Sequence, residues 1–207
     1  MTEARVIFAV AAEDDDHLIW DRLRGVQNEL FAAGPISIKV AYFGQEVAPP
    51  NRPFISTRWA ADADDLQALM VHARARCACG CYVNIGDILA EAVREARHGP
   101  VQAVVIIGDN FHGSREEALA HAEQLRAAGT RLFLFRQGSQ RAIPGDVFRT
   151  LAEMTNGAYY EFNPSIERVA ERLPRLFEAV THCAIGGPAA LRALFDESAD
   201  LLLEQIK

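Results

Sequence analysis

Short, unbroken apolar runs alternate with longer amphipathic stretches along most of the chain. Residues 5–11 (RVIFAVA) and 101–107 (VQAVVII) are rich in β-branched residues and carry no alternating polar face. Such runs are typical of strands buried on both faces of a parallel sheet. Five buried strands and a short edge strand are predicted in this way, at residues 5–11, 37–43, 101–107, 131–135 and 158–162, with the edge strand at 54–58.

The stretches between these runs carry apolar residues three and four positions apart, the spacing of an amphipathic helix. Residues 18–34 read as one helix that ends at Gly34-Pro35. Asp62 is placed to cap the helix that follows it, and Ser114 with Glu117 three residues later forms a capping box. The Pro-rich residues 44–53 predict a surface loop.

Strands and helices that alternate in this order predict a doubly wound α/β fold. We expect a mostly parallel sheet with helices on both faces, joined by right-handed crossovers in a Rossmann-like three-layer sandwich. The tail departs from the alternation, because residues 166–184 read as one helix, 186–188 as a hinge and 189–206 as a final amphipathic helix. The predicted organisation is one domain over residues 1–165 and a helical extension over 166–207 packed on it.

Three segments between residues 84 and 162 resemble von Willebrand factor type A domains. The stretch NIGDILAEA from Asn84 is similar to the opening of that family's central helix, and AVVIIGD, ending at Asp109, is similar to its fourth strand. The stretch FRTLAEMTNGAYY, ending at Tyr160, is similar to the helix and turn that lead into the family's last strand. With the first strand included, the resemblance spans roughly residues 5–164, and it implies the same fold.

The resemblance also implies a divalent metal ion at the carboxyl ends of the strands. The family's ligands are an Asp-x-Ser-x-Ser motif after the first strand, a Thr before the central helix and an Asp after the fourth strand. These positions hold Ala11, Glu13, Asp15, Val83 and Asp109 in this chain. Ala11 and Val83 offer no oxygen to a hard cation, so we expect a degenerate site without a metal cofactor. The alternative is a rebuilt Mg²⁺ site that uses Glu13, Asp15 and Asp109.

A second cluster of reactive side chains is the Cys77, Cys79 and Cys81 run. Its Cys-x-Cys-x-Cys spacing is tighter than the Cys-x₂₋₄-Cys pairs of most zinc sites, although an extended backbone would place all three side chains on one side. One hypothesis is a thiol- or metal-dependent sensor or enzyme that combines these cysteines with His112 and Asp109. Phosphate-binding glycine loops and the nucleophile-elbow motif are absent from the sequence.

Charge and composition exclude several classes of partner. The 207 residues carry a formal net charge of -7 and no block of Lys or Arg, which argues against binding to nucleic acid or to an anionic membrane. The sequence starts without the basic head and apolar core of a signal peptide, and it has no apolar run of membrane-spanning length. We therefore expect a cytoplasmic protein.

These observations favour a non-enzymatic protein-interaction or scaffolding module whose partner is another protein. Ligands of open α/β sheets bind beyond the carboxyl ends of the strands, so the loops there are the predicted binding face. Its candidate residues are Glu13, Asp14, Asp15, Asp16, Cys81, Val83, Asn84, Asp109, Asn110 and His112. The apolar stripe of the C-terminal helices either packs on the domain itself or forms a homo-oligomer.

Overall fold

The computed structural model describes residues 3–11, 17–43, 46–47, 54–78, 85–108, 113–137, 146–162 and 167–191. The strands over these residues are β1 (Ala4–Ala11), β2 (Ile36–Phe43), β3 (Glu46–Val47), β4 (Phe54–Ser56), β5 (Cys77–Ala78), β6 (Ala103–Gly108), β7 (Arg131–Gln137) and β8 (Ala158–Phe162). The helices are α1 (His17–Gly25), α2 (Gln27–Ala32), α3 (Ala63–Arg76), α4 (Ile85–His98), α5 (Arg115–Ala127), α6 (Asp146–Met154), α7 (Glu167–Gly186) and α8 (Pro188–Leu191).

Six of the strands form one sheet in the order β4-β2-β1-β6-β7-β8. Strands β2, β1, β6, β7 and β8 run parallel, and β4 pairs antiparallel with β2 at one end. The parallel strands therefore all begin at one edge of the sheet, the amino edge, and all finish at the other, the carboxyl edge. This architecture confirms the predicted doubly wound, mostly parallel sheet.

The helices cover both faces of this sheet, as the continuous apolar runs require. All six residues of β6 are buried, and successive side chains alternate between two hydrophobic cores. Val105 packs with residues of α1, α2, α3 and α7, which form the first helical layer. Val104 packs with residues of α4, α5 and α6, which form the second layer. The three-layer sandwich predicted from the sequence is confirmed.

The predicted single helix over residues 18–34 was wrong, because the chain forms two helices there. Val26, between α1 and α2, has φ −115° and ψ 7°, outside the helical region. Gly25 precedes it, and glycine costs about 1 kcal/mol relative to alanine in a helix interior. Val26 and Leu30 are both buried, so the apolar positions predicted to face the core do so in spite of the break.

The ends of several predicted strands also differ in the structure. β6 begins at Ala103, two residues after the predicted start. Gln102 still bonds to β1, because its side-chain Oε1 accepts the Arg5 backbone N–H at 2.7 Å and its own backbone N–H donates to the Arg5 carbonyl at 2.9 Å. β7 continues two residues beyond the predicted end, to Gln137. The predicted surface loop over residues 44–53 contains β3, which pairs antiparallel with β5. Pairing between two-residue strands leaves no period in the sequence, so the pattern could not show it.

A buried network of charged groups ties α4 to the first strands of the sheet. Lys39 of β2 is 5% exposed, and its Nζ donates to Glu91 Oε1 at 2.9 Å and to Glu95 Oε1 at 2.5 Å. Glu95 Oε2 accepts from Arg5 Nη2 and from Trp59 Nε1, each at 2.9 Å. The Arg5 guanidinium stacks 4.0 Å from the centre of the Trp59 ring. Because each buried charge has an opposite partner, the desolvation cost is offset and α4 is held in one position on the sheet.

Acid is expected to weaken this network. Burial alone would raise the pKa of Glu95, but the hydrogen bonds from Lys39 and Trp59 and the charges of Lys39 and Arg5 outweigh burial and lower the pKa from its ordinary 4.5. A lowered pKa means that ionised Glu95 stabilises the fold above about pH 4.5 and that this stabilisation is lost as the pH falls through the folded-state value. In urea titrations between pH 6 and pH 3, Glu95→Gln should lose less stability than the unchanged chain. Equal losses would contradict this assignment.

The turn between α6 and β8 fixes the position of the last strand. The Thr155 hydroxyl accepts the Leu132 backbone N–H at 3.0 Å and donates to the α6 carbonyls of Leu151 and Ala152. Asn156 adopts a left-handed conformation with φ 52°, and the Gly157 N–H bonds back to the Ala152 carbonyl at 2.9 Å. This turn closes the end of α6 and brings the chain directly against the start of β7.

Candidate recognition face

The candidate face lies where the strand order reverses. The chain first adds β2 and then β4 on one side of β1, and it later adds β6, β7 and β8 on the other side. The register pairs Val10 with Ile107, so Ala11 and Gly108 end their strands side by side at the carboxyl edge. In open α/β sheets the crevice at this reversal is the usual ligand site, because neighbouring loops diverge there.

The sequence-predicted site residues all belong to connections that reach this edge. Glu13, Asp14, Asp15 and Asp16 follow β1, and Asp109, Asn110 and His112 follow β6. Cys81, Val83 and Asn84 lie between β5 and the first residue of α4. These residues lie outside those that the structure describes, so the predicted contacts among them stay predictions.

The described ends of these connections show how each one is anchored. Ser114 caps α5, and its Oγ accepts the Glu117 N–H at 3.2 Å, as the capping box predicts. Gly113 precedes it with φ 124°, a backbone conformation that residues other than glycine rarely adopt. These two residues fix where the connection from β6 enters its helix.

The cysteine segment begins at the same edge. β2 and α3 both run towards the carboxyl edge, and β5 follows α3 directly. In the β3–β5 pair, Cys77 lies opposite Val47 and Ala78 opposite Glu46. Cys79 and Cys81 lie outside the described residues. The backbone at Cys77 is thus paired with β3, which is separated from the end of β2 by two residues in the sequence.

A charged cluster that the hydrophobic pattern did not predict lies at the carboxyl ends of β7 and β8. Arg136 is only 4% exposed, and its Nη1 lies 3.5 Å from Glu161 Oε2. The Tyr159 hydroxyl donates to the same carboxylate oxygen at 2.7 Å, and the Arg149 guanidinium lies 5.2 Å from the centre of the Tyr159 ring. The alternation of side chains along a strand could have indicated its burial, because a period of two places Arg136 on the same face of β7 as Leu132 and Leu134, which lie in the core.

This cluster places a fixed positive charge in a poorly solvated position at the carboxyl edge. Burial raises the pKa of Tyr159, as does its hydrogen bond to Glu161, while Arg136 opposes the shift. The phenol therefore stays neutral and acts as a hydrogen-bond donor. A buried guanidinium interacts more strongly with nearby carboxylates than an exposed one, because less water screens it.

Two of the positions that align with the family's metal ligands carry no oxygen donor in their side chains. Position 11 is an alanine at the end of β1 and position 83 is a valine, so neither offers an oxygen donor. No group of three His, Cys, Asp or Glu side chains suited to a metal occurs among the described residues. The rebuilt alternative of Glu13, Asp15 and Asp109 falls outside them and stays a hypothesis.

Comparison with solved structures identifies the fold. A von Willebrand factor type A protein from Catenulispora acidiphila superposes with a TM-score of 0.64 at 12% identity, covering 89% of this chain and 43% of that one. The pilus adhesin SpaC from Lactobacillus rhamnosus GG gives 0.65 at 9% identity, covering 89% and 30%. The SpRpn10 VWA domain gives 0.59 at 12% identity, covering 82% and 93%.

The chain therefore has a von Willebrand factor A-like fold, as the sequence resemblance implied. It spans less than half the length of the first two of these proteins. No protein-family model matches the chain, and no curated protein matches it in sequence. Within the described residues, no helix combines the length and apolar character needed to cross a membrane.

Proposed function

We propose that this chain is a non-enzymatic protein-interaction module whose recognition face is the carboxyl edge and whose binding does not use a metal ion. The observation that carries the proposal is the strand reversal between β1 and β6, which brings two connections of the predicted face to one point. The acidic run from Glu13 to Asp16, which follows β1 in the sequence, suits a partner with a basic or hydrogen-bond-donating surface. The similarity of fold to a pilus adhesin is consistent with an interaction role.

The residue chemistry at this edge supports binding without a metal. A divalent ion in such a site would offset the repulsion between neighbouring carboxylates. Here two ligand positions are Ala11 and Val83, whereas Arg136 provides a positive charge at the end of β7.

Site-specific photocrosslinking tests this function. A photoreactive residue at Asn110, on the proposed face, should give a covalent partner adduct in cells of the source organism. The same residue at Ala128, exposed beyond the end of α5 at the amino edge, should give none. The adduct at Asn110 should persist in EDTA. Equal labelling from both positions would refute the proposed face, and loss with EDTA would refute the metal-free part.

The cysteine segment supports a second candidate, a thiol- or metal-dependent sensor or enzyme built on Cys77, Cys79, Cys81, His112 and Asp109. The observation in its favour is that β5 places the backbone of Cys77 near the same edge. The crosslinking experiment separates the two candidates when it is repeated with Cys79→Ser and Cys81→Ser. An interaction module keeps its adduct in both variants, whereas a thiol sensor loses it or loses its response to oxidant.

A further inference from the structure

Helix α7 is buried on two opposite flanks as well as on the side that faces the sheet. Its inner side packs through Phe177, whose ring centre lies 5.5 Å from that of Phe8 on β1 and 6.3 Å from that of Phe135 on β7. Leu176, Ala179 and Cys183 are each no more than 1% exposed. They lie on a different side of the helix from Ile185.

Helices α1 and α2 cover one of these flanks. Both contact α7, and a Cβ added at Gly34, between α2 and β2, would come within 3.3 Å of Ile185 Cδ1. Successive residues of an α-helix are rotated by about 100°. Leu176 and Cys183 are therefore rotated by roughly 180° and 160° from Ile185. They face away from α1 and α2.

The second flank faces β7 and β8. Burial raises the pKa of the Cys183 thiol, and the charge of Arg131, the first residue of β7, partly opposes that shift. In the same core, Phe133 and Ala158 are adjacent in the β7–β8 register and are completely buried. Two described helices remain. α3 contacts α2, β2 and β4, so it lies beyond α2, away from the second flank. α8 contacts α7, but its four residues span only about 6 Å of helix and cannot reach Leu176, about 15 Å from Gly186.

Leu176, Ala179 and Cys183 are buried on this second flank, so a further segment must cover them. Among the residues outside the described ranges, one segment can do so. The segments 12–16, 44–45, 48–53, 79–84, 109–112, 138–145 and 163–166 join elements at the carboxyl edge, whereas Cys183, Phe133 and Ala158 lie towards the amino edge. Residues 1–2 are too few and precede β1. Residues 192–207 follow α8, directly after α7 ends at Gly186 and Gly187 turns the chain with φ 70°.

We propose that residues 192–207 dock on their own domain as a helix antiparallel to α7, in the groove formed by Leu176, Ala179, Cys183, Phe133 and Ala158. Sixteen residues of helix span about 24 Å, and Leu176 lies only about 15 Å along the axis from Gly186. Leu194, Phe195, Leu202 and Ile206 fall on one stripe at helical spacing. The segment would then complete the first helical layer.

Two adjacent leucines provide a matched test in the full chain. Leu202 belongs to the apolar stripe, whereas Leu203 is rotated about 100° from it, towards Asp196 and Lys207. Leu202→Asp should increase the rate of Cys183 alkylation on the order of tenfold or more, because undocking opens that flank to reagent. Leu203→Asp should leave the rate unchanged. Peptide mass spectrometry distinguishes Cys183 from Cys77, Cys79 and Cys81. Equal rates in both variants would overturn the proposal.

Hydrogen exchange of the unchanged chain keeps the proposal testable if Leu202→Asp does not fold. Amides in residues 192–207 should exchange on the order of a hundredfold more slowly than in an unstructured peptide, with equal protection at 2 and 50 μM protein. Rapid exchange would overturn the proposal. Protection that appears only at the higher concentration, with a dimer in light scattering, would also overturn it and would identify a second copy as the source of the cover.

Discussion

Gly157→Ala should destabilise the domain by at least about 3 kcal/mol, because the new methyl group has no space. A Cβ at this position would lie 1.9 Å from the Leu132 carbonyl oxygen and 2.7 Å from its carbon. Those atoms belong to the backbone of β7, a buried strand paired on both sides, so they cannot move aside as a flexible side chain could. For a chain of this size the loss corresponds to a drop of about 6–12 °C in melting temperature.

Gly25→Ala is the matched control for this change. A Cβ at Gly25 would meet no atom within 4 Å, and the residue ends α1. Alanine there should be neutral or stabilise by up to about 1 kcal/mol, because it restricts the unfolded chain. Thermal unfolding of the two variants beside the unchanged protein measures the difference. Similar melting temperatures for both variants would show that β7 and β8 separate easily, contrary to the close approach described.

The turn at Gly157 also shows what a sequence resemblance can and cannot predict. The stretch ending at Tyr160 indicated a helix, a turn and a last strand in the correct order. The reason for the glycine, contact with Leu132 twenty-five residues earlier, is a long-range property that no local pattern contains. Element order followed from local periodicity, whereas the packing constraint required the three-dimensional register.

Charged residues within strands were the main feature that the hydrophobic pattern did not explain. Lys39 and Arg136 each occupy a position whose neighbours along the strand face a core. A run of apolar residues with one basic residue predicts a buried strand, but it does not identify the carboxylate that pairs with the base. Those partners lie far away in sequence, with Glu91 on α4 and Glu161 on β8.

For the candidate face, the described strands show where the connections begin, and the site residues within them stay predictions. The positions of Glu13 to Asp16 and of Asp109 follow from the ends of β1 and β6, because parallel strands finish at one edge. The relative positions of their side chains depend on connections without a repeating hydrogen-bond pattern, which periodicity cannot predict. The proposed binding role therefore depends on topology, and the crosslinking experiment addresses the side chains directly.

Lys39→Met is expected to cost about 3 kcal/mol, because it removes the buried cation that pairs with both Glu91 and Glu95. The Glu91 side chain is 5% exposed and accepts hydrogen bonds from Lys39 and Ser56, and its second cation, Arg94, is 63% exposed and therefore better screened by water. Methionine preserves most of the lysine's volume, so the loss would come from charge and hydrogen bonding and not from a cavity. Urea unfolding at pH 7 measures it. Arg126→Met, which breaks an exposed pair with Glu123, should leave the unfolding midpoint unchanged.

The double variant Lys39→Met with Glu91→Met tests whether the two residues stabilise the fold by pairing with each other or independently of each other. If pairing alone makes Lys39 necessary, removing both charges should restore much of the lost stability, because no carboxylate at position 91 then lacks its buried cation. Glu95 would keep its hydrogen bonds from Arg5 and Trp59. A double variant that is as unstable as the sum of the single variants would show that the two residues act independently. The network would then not be the device that holds α4 against β2.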